Sequence, residues 1–161
     1  MHKKKIAAII FDCDGVLVDS EVIHIAEELQ YLAEIGLRYE YEDYLSKFVG
    51  LSVPDFDTAL TQDCLIKTGE KLPVDFRDQL NGRVWTRLES ELKAIKCVEY
   101  LVTQFLGKVA VASSSPLDLL RRKLSITNLL ALFEPHVYSA DHVSNGKPAP
   151  DLFLYLSLIH I

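Results

Sequence analysis

Two aspartates one residue apart, Asp12 and Asp14, stand directly after an apolar run and directly before Gly15. Carboxylates this close repel each other unless a cation lies between them. Their oxygens suit Mg²⁺, which usually binds substrate phosphate and water as well. The run before them, Ile6 to Phe11, is apolar throughout and rich in isoleucine. It predicts a strand buried on both faces, the signature of a parallel sheet flanked by helices. Asp12 then falls at the strand's carboxyl end, where open α/β sheets bind their ligands. The chemistry these residues imply is a metal-assisted reaction on a phosphate.

The elements that must position the acids can be read in chain order. Ser20 reads as an N-cap, and Val22, Ile25, Ala26, Leu29, Leu32 and Ala33 then recur at helical spacing up to Gly36. This predicts a helix over 20–35. Further helices are predicted over 41–48, 52–67 and 75–92, with Pro54 in the first turn of the second of these. Four helices with no strand between them make an all-α insertion. The α/β rhythm returns with a helix over 98–105 and a strand over 109–112 that ends in Ser113-Ser114-Ser115-Pro116. A helix over 117–124 and a weak strand over 137–140 follow. Asn145-Gly146-Lys147-Pro148-Ala149-Pro150-Asp151 is then a turn leading into a helix from Pro150.

The string Asp12-x-Asp14-Gly15-Val16-Leu17-Val18-Asp19-Ser20 resembles motif I of the haloacid dehalogenase-like hydrolases. The element order resembles that family's core with a helical cap inserted just after motif I, as in the branch of β-phosphoglucomutase and small sugar-phosphate phosphatases. The implied fold class is α/β: a Rossmann-like core over 1–18 and 95–161, with an all-helical cap over 19–94. The resemblance makes Asp12 the nucleophile that forms an aspartyl-phosphate. It makes Asp14 the general acid and base, and assigns Mg²⁺ to both, with the Asp14 backbone carbonyl as one ligand. Ser113 matches motif II and, with Ser114, would bind the phosphoryl oxygens. Lys147 heads a Lys-Pro-x-Pro-Asp motif III, and its ammonium would offset charge on Asp12 and the phosphate. In the cap, Gly50-Leu51-Ser52-Val53 stands where β-phosphoglucomutase has Gly-x-Ser-Arg. Valine cannot pair with a phosphate, which favours a phosphatase over a mutase. His24 falls where the mutase has a hinge histidine, and reads equally well as a helix-face residue.

The resemblance implies Mg²⁺-dependent hydrolysis of a small sugar phosphate, phosphosugar acid or phosphoglycolate, with the cap closing over the core to exclude water. The enzyme would be cytoplasmic, and a monomer at full length. A phosphosugar mutase is the second reading, and a phosphate-binding module or inactive fragment the third. The family's fourth motif, an acidic pair on a further strand that supplies the remaining Mg²⁺ ligands, is absent from these 161 residues. The ending Leu156-Ser-Leu-Ile-His-Ile161 is also what a common transposon sequencing adaptor encodes in one frame. The native chain is therefore expected to depart near Tyr155. The 161-residue chain is expected to be poorly soluble and inactive, with 6–11 left as an apolar edge. Lys96-Cys97 stands where relatives usually have Pro-Gly.

Composition narrows the field. Hydrophobic residues make up 49%, enough for a packed interior. The net charge of -6 argues against nucleic acid or an anionic membrane as the main partner. No stretch is long enough to span a bilayer, and Asp12 stops the run after Lys3-Lys4-Lys5 too early for a signal peptide. Cys13, Cys64 and Cys97 share no metal-ligand spacing and read as reduced thiols. Between the two acids, Cys13 is either a reactive thiol or a tolerated variable position. His136, His142 and His160 show no ligand spacing. Arg83, Arg87, Arg121 and Arg122 read as residues of solvated helix faces.

Overall fold

A computed structural model of the chain describes residues 6–51 and 53–159. Its elements are β1 (Ala8–Phe11), α1 (Ser20–Glu34), α2 (Tyr41–Phe48), α3 (Val53–Thr68), α4 (Phe76–Glu91), α5 (Val98–Gln104), β2 (Lys108–Ser113), α6 (Leu117–Ile126), α7 (Leu130–Phe133), β3 (Val137–Ser139) and α8 (Asp151–Ile159). A single 3₁₀ turn, Ala140–His142, follows β3. The chain divides into two compact units, residues 1–21 with 88–161, and residues 22–87.

The first unit is α/β. Its three strands are all parallel, in the order β1-β2-β3, with Ile10 opposite Ala110 and Ala112 opposite Tyr138. In the central strand Ala110, Val111, Ala112 and Ser113 are all buried, as is every residue of β3. Leu152 and Leu156 of α8 join Ala110, Ala112 and Tyr138 in one core cluster. Phe133 of α7 meets Phe11 of β1 edge to face, ring centroids 5.6 Å apart. In α6 the leucines at 120 and 124 are fully buried, one helical turn apart on the same stripe. Parallel strands joined through helices are the solution expected of apolar runs flanked by amphipathic helices.

The second unit is all-helical. Tyr31 stacks on Phe76, and Tyr39, Tyr44, Phe48 and Phe56 form a chain of ring contacts. Arg83 donates both guanidinium nitrogens to Glu34, at 3.0 and 2.6 Å, and lies 4.3 Å above the Tyr31 ring. Glu27, itself buried, faces Arg83 and Arg87. These arginines do not sit as free charges on solvated faces. They are the counter-charges without which a buried Glu27 would be costly.

Several expectations from the sequence need correction. Among the described residues β1 is the apolar edge strand expected above, but the run is not buried on both faces, since Ile10 is 38% exposed. Ser20 is the first residue of α1, and its hydroxyl donates to Asp14. α7 and the 3₁₀ turn went unread, being too short to show a period. Arg121 and Arg122 lie exposed on their helix, as expected, and pair there with Glu134 and Glu89. Cys97, in the Lys96-Cys97 step, adopts φ +68°, a left-handed conformation that costs a residue with a β-carbon about 1 kcal/mol and glycine nothing.

Candidate active site

β1 ends at Phe11, and the chain turns at once into a tight loop. The carbonyl of Cys13 accepts from the N–H groups of Val16, Leu17 and Val18, at 3.3, 2.8 and 3.1 Å. Gly15 makes this turn with φ +71°. A β-carbon there would also lie 3.0 Å from the Glu21 carboxylate. The loop is anchored on its far side, where Asp19 N–H donates to Lys93 O and Ile95 N–H to Leu17 O. The turn's own bonds and these two distant anchors together hold the loop that carries Asp12 and Asp14.

Each acid then has its own ammonium. Asp12 Oδ1 accepts from the Cys13 N–H at 2.7 Å, and Asp12 Oδ2 lies 2.7 Å from Lys147 Nζ. Lys147 also donates to the Ala112 carbonyl at 3.1 Å, which ties the loop before α8 to the middle strand. Asp14 Oδ1 accepts from Ser20 Oγ at 2.5 Å and from Lys123 Nζ at 2.6 Å, while its Oδ2 accepts from Ser115 Oγ at 3.0 Å. Burial alone would push the Asp14 carboxyl up. The Lys123 ammonium, with hydrogen bonds from Lys123, Ser20 and Ser115, outweighs it and holds the carboxyl below its usual range.

The α/β unit brings Asp12, Asp14, Ser113 and Lys147 together. Ser113 is buried, and its hydroxyl accepts from the Ser115 N–H at 3.0 Å, so it shapes the loop after β2. Ser114 is exposed beside it. Ser115 is the serine that touches an acid, and its carbonyl accepts from Ser139 Oγ at 2.8 Å. His24, Gly50 and Leu51 belong to the helical unit and are exposed. Ser52 lies outside the described residues. A hollow of about 590 Å³ in the helical unit, lined by Arg38, Tyr39, Lys47 and Lys67 among others, contains none of the motif residues. Two of its cations, Lys47 and Lys67, are already committed to Asp63.

Lys123 and Ser115 were missed in the sequence. A lone lysine in a helix reads as solvated, yet Lys123 is only 5% exposed. The available signal was its place on the stripe of Leu120 and Leu124, where a charge has no business unless it is paired.

Cys13 is fully buried, and burial, with Asp14 beside it, pushes its thiol up to about 12. At pH 8 roughly one thiol in 10⁴ is then ionised, and the thiolate is the reactive form. Iodoacetamide at pH 8 is expected to label the exposed Cys97 and to spare the buried Cys13 and Cys64 until the protein is denatured. Peptide mass spectrometry reads this directly, and rapid native labelling of Cys13 would show that the loop opens.

Comparison with known proteins follows the same geometry. A 6-phosphogluconate phosphatase of Escherichia coli is 26% identical over 152 residues, which are 94% of this chain and 67% of that enzyme. The chain thus spans about two thirds of the length of this relative. A haloacid dehalogenase-like protein from Agrobacterium tumefaciens superposes with a TM-score of 0.83 at 31% identity, covering 98% of this chain and 70% of the other. A hydrolase from Deinococcus radiodurans, solved with bound phosphate and sodium, gives a TM-score of 0.76 at 28% identity, covering 94% of this chain and 66% of the other. The family pattern of haloacid dehalogenase-like hydrolases matches residues 6–157, nearly the whole chain, and with its acids, lysine and parallel sheet arranged as described, the chain belongs to that family.

Proposed function

We propose that the protein hydrolyses the phosphate monoester of a small phosphorylated carbohydrate, through an aspartyl-phosphate on Asp12. The observation that carries this reading is the division of labour between the two acids. Asp12 is half exposed at the end of β1, with Lys147 on one oxygen, whereas Asp14 is held on both oxygens by donors of its own. An exposed carboxylate beside an ammonium is placed to attack a phosphoryl group, and a fixed one is placed to move a proton.

The donor set fits Mg²⁺. Among the described residues no three acids, histidines or cysteines gather in one place. A side-chain oxygen of Asp12 and the backbone carbonyl of Asp14 are hard ligands, and Mg²⁺ is commonly held by one or two carboxylates while keeping water and phosphate. When bound, the ion would neutralise phosphoryl charge in the transition state.

This chain's own residues do the rest. An oxygen of Asp12 attacks phosphorus, and the bond from phosphorus to the ester oxygen breaks. That oxygen takes a proton from Asp14, which enters this step in its minor, protonated form, and leaves as the alcohol. Asp14, now ionised, takes a proton from a water that attacks the phosphorus of the aspartyl-phosphate. Inorganic phosphate departs, and the Asp12 carboxylate is restored. Lys147 offsets the charge that Asp12 and the phosphoryl oxygens bring together. The backbone of the loop after β2, at Ser113 and Ser114, is the proposed phosphate cradle, and His24 and the segment Gly50 to Ser52 of the cap would meet the rest of the substrate.

The named relative acts on 6-phosphogluconate, a phosphosugar acid. That compound heads the screen, followed by hexose phosphates and phosphoglycolate, with the protein made from its complete gene. Release of inorganic phosphate supports the proposal, and an isomeric sugar phosphate would show a mutase instead. Chelation of divalent ions is expected to lower turnover by about 100-fold or more, with recovery on adding Mg²⁺. Full activity in the presence of chelator would remove the metal from the mechanism.

A further inference from the structure

Lys123 lies on the buried face of α6, next to Leu124 and one turn from Leu120, both fully buried. Its stem packs among them while its ammonium reaches Asp14 Oδ1 at 2.6 Å and Ser115 Oγ at 3.2 Å. Taking an ammonium out of water is expensive, and an apolar residue at such a position is often neutral or better for stability. Helix packing alone therefore gives no reason for a lysine here. The helix is also held in place by the site's own loops. Leu117 N–H, at the start of α6, donates to Asp141 Oδ2 at 2.7 Å, and Asp141 N–H donates to Ser139 Oγ at 3.0 Å. The Ser139 hydroxyl in turn holds the Ser115 carbonyl. The same bonds that set the loop after β2 thus aim Lys123 at Asp14.

We infer that Lys123 is a positioning residue: together with Ser20 and Ser115 it fixes the ionised Asp14 carboxylate in the orientation from which it takes the proton of the water that attacks the aspartyl-phosphate. This rests on the reading of Asp14 as the proton carrier. The three donors come from separate places, the start of α1, the loop after β2 and the middle of α6, and they occupy both carboxylate oxygens. Free rotation of Asp14 would break at least one of these bonds. Lys147 serves Asp12 in the parallel way, so each acid is held by its own ammonium and neither lysine is shared.

The test is a double-mutant cycle in the complete gene product, with turnover of the best ester from the screen and inhibition by inorganic phosphate as readouts. Lys123→Met is expected to lower kcat about 10- to 100-fold, the scale on which misplacing a reacting group by an ångström acts, with KM and the phosphate inhibition constant within about threefold. In an Asp14→Asn background the same substitution is expected to change kcat by less than about twofold, since it acts through a carboxyl that is no longer there. An unchanged kcat in Lys123→Met would overturn the inference. So would an equal loss with and without Asp14, or a loss confined to KM and phosphate binding, which would make Lys123 an anion ligand. If Asp14→Asn itself turns over normally, the proton-carrier reading fails first and is identified as the cause. Melting curves accompany each variant, and Lys123→Gln, which keeps a donor of nearly the same reach without the charge, takes the place of methionine if that variant does not fold.

Discussion

Asp12→Asn is expected to abolish turnover of every phosphate ester the protein accepts, a loss of about 10⁴-fold or more, the scale seen when a covalent nucleophile is removed. The amide is nearly the same size as the carboxylate. Its oxygen can still accept from the Cys13 N–H, so the loop after β1 keeps its shape. Lys147 loses its charged partner but is 19% exposed and still donates to the Ala112 carbonyl, so the fold should lose little. What disappears is the nucleophilic anion. Inorganic phosphate should bind as well as before or better, because one negative charge facing it is gone and the Lys147 ammonium is free to pair with it. Two measurements check this together: phosphate release from the best substrate, and phosphate affinity by calorimetry. Retention of more than about 1% of turnover, against that 10⁴-fold scale, would show that Asp12 is not the attacking group.

What could be read from the sequence was what is local in the chain. Asp12, Gly15 and Ser20 sit within one loop, and Lys147 heads a compact turn. Their resemblance to two short family motifs located them, and the strand that carries the loop announced itself by its isoleucines. The helical insertion was legible for the same reason, since a helix writes its period into consecutive residues. Lys123 was not legible. It meets Asp14 across 109 positions of sequence, and no local pattern encodes that meeting. The serine cluster was legible only in part. The Ser113 hydroxyl accepts from the Ser115 N–H, and Ser115 is the one turned to Asp14. Three consecutive serines at a strand end differ only in which side of the turn they face, and tertiary bonding to Ser139 decides that. Ser20 donates to Asp14, an acceptor that the sequence showed but could not place.

Asp14→Asn separates proton transfer from attack. Asparagine keeps an oxygen for Ser20 and Lys123 but has no proton to give at any working pH. On an alkyl ester such as a sugar phosphate the leaving oxygen then departs unprotonated, and kcat should fall about 10²- to 10⁴-fold. An aryl phosphate is different, because its phenolate leaves without help. There Asp12 can still be phosphorylated, while the water that must release it has lost its base. The expected result is a rapid burst of about one phenol per chain followed by slow turnover, the kinetic mark of an accumulating covalent intermediate. Equal losses on both ester types with no burst would mean that Asp14 serves binding and not proton movement. The variant should also be less stable by about 2 kcal/mol near neutral pH, since the buried Lys123 keeps a hydrogen bond but loses its counter-charge. The sign with pH follows from the lowered Asp14 carboxyl. In the wild type the pair's contribution is complete above the ordinary carboxyl value of 3.8 and is lost as pH falls through the lower folded value. The stability gap between wild type and Asp14→Asn should therefore be widest at neutral pH and close only in strong acid, which acid titration of both proteins would show.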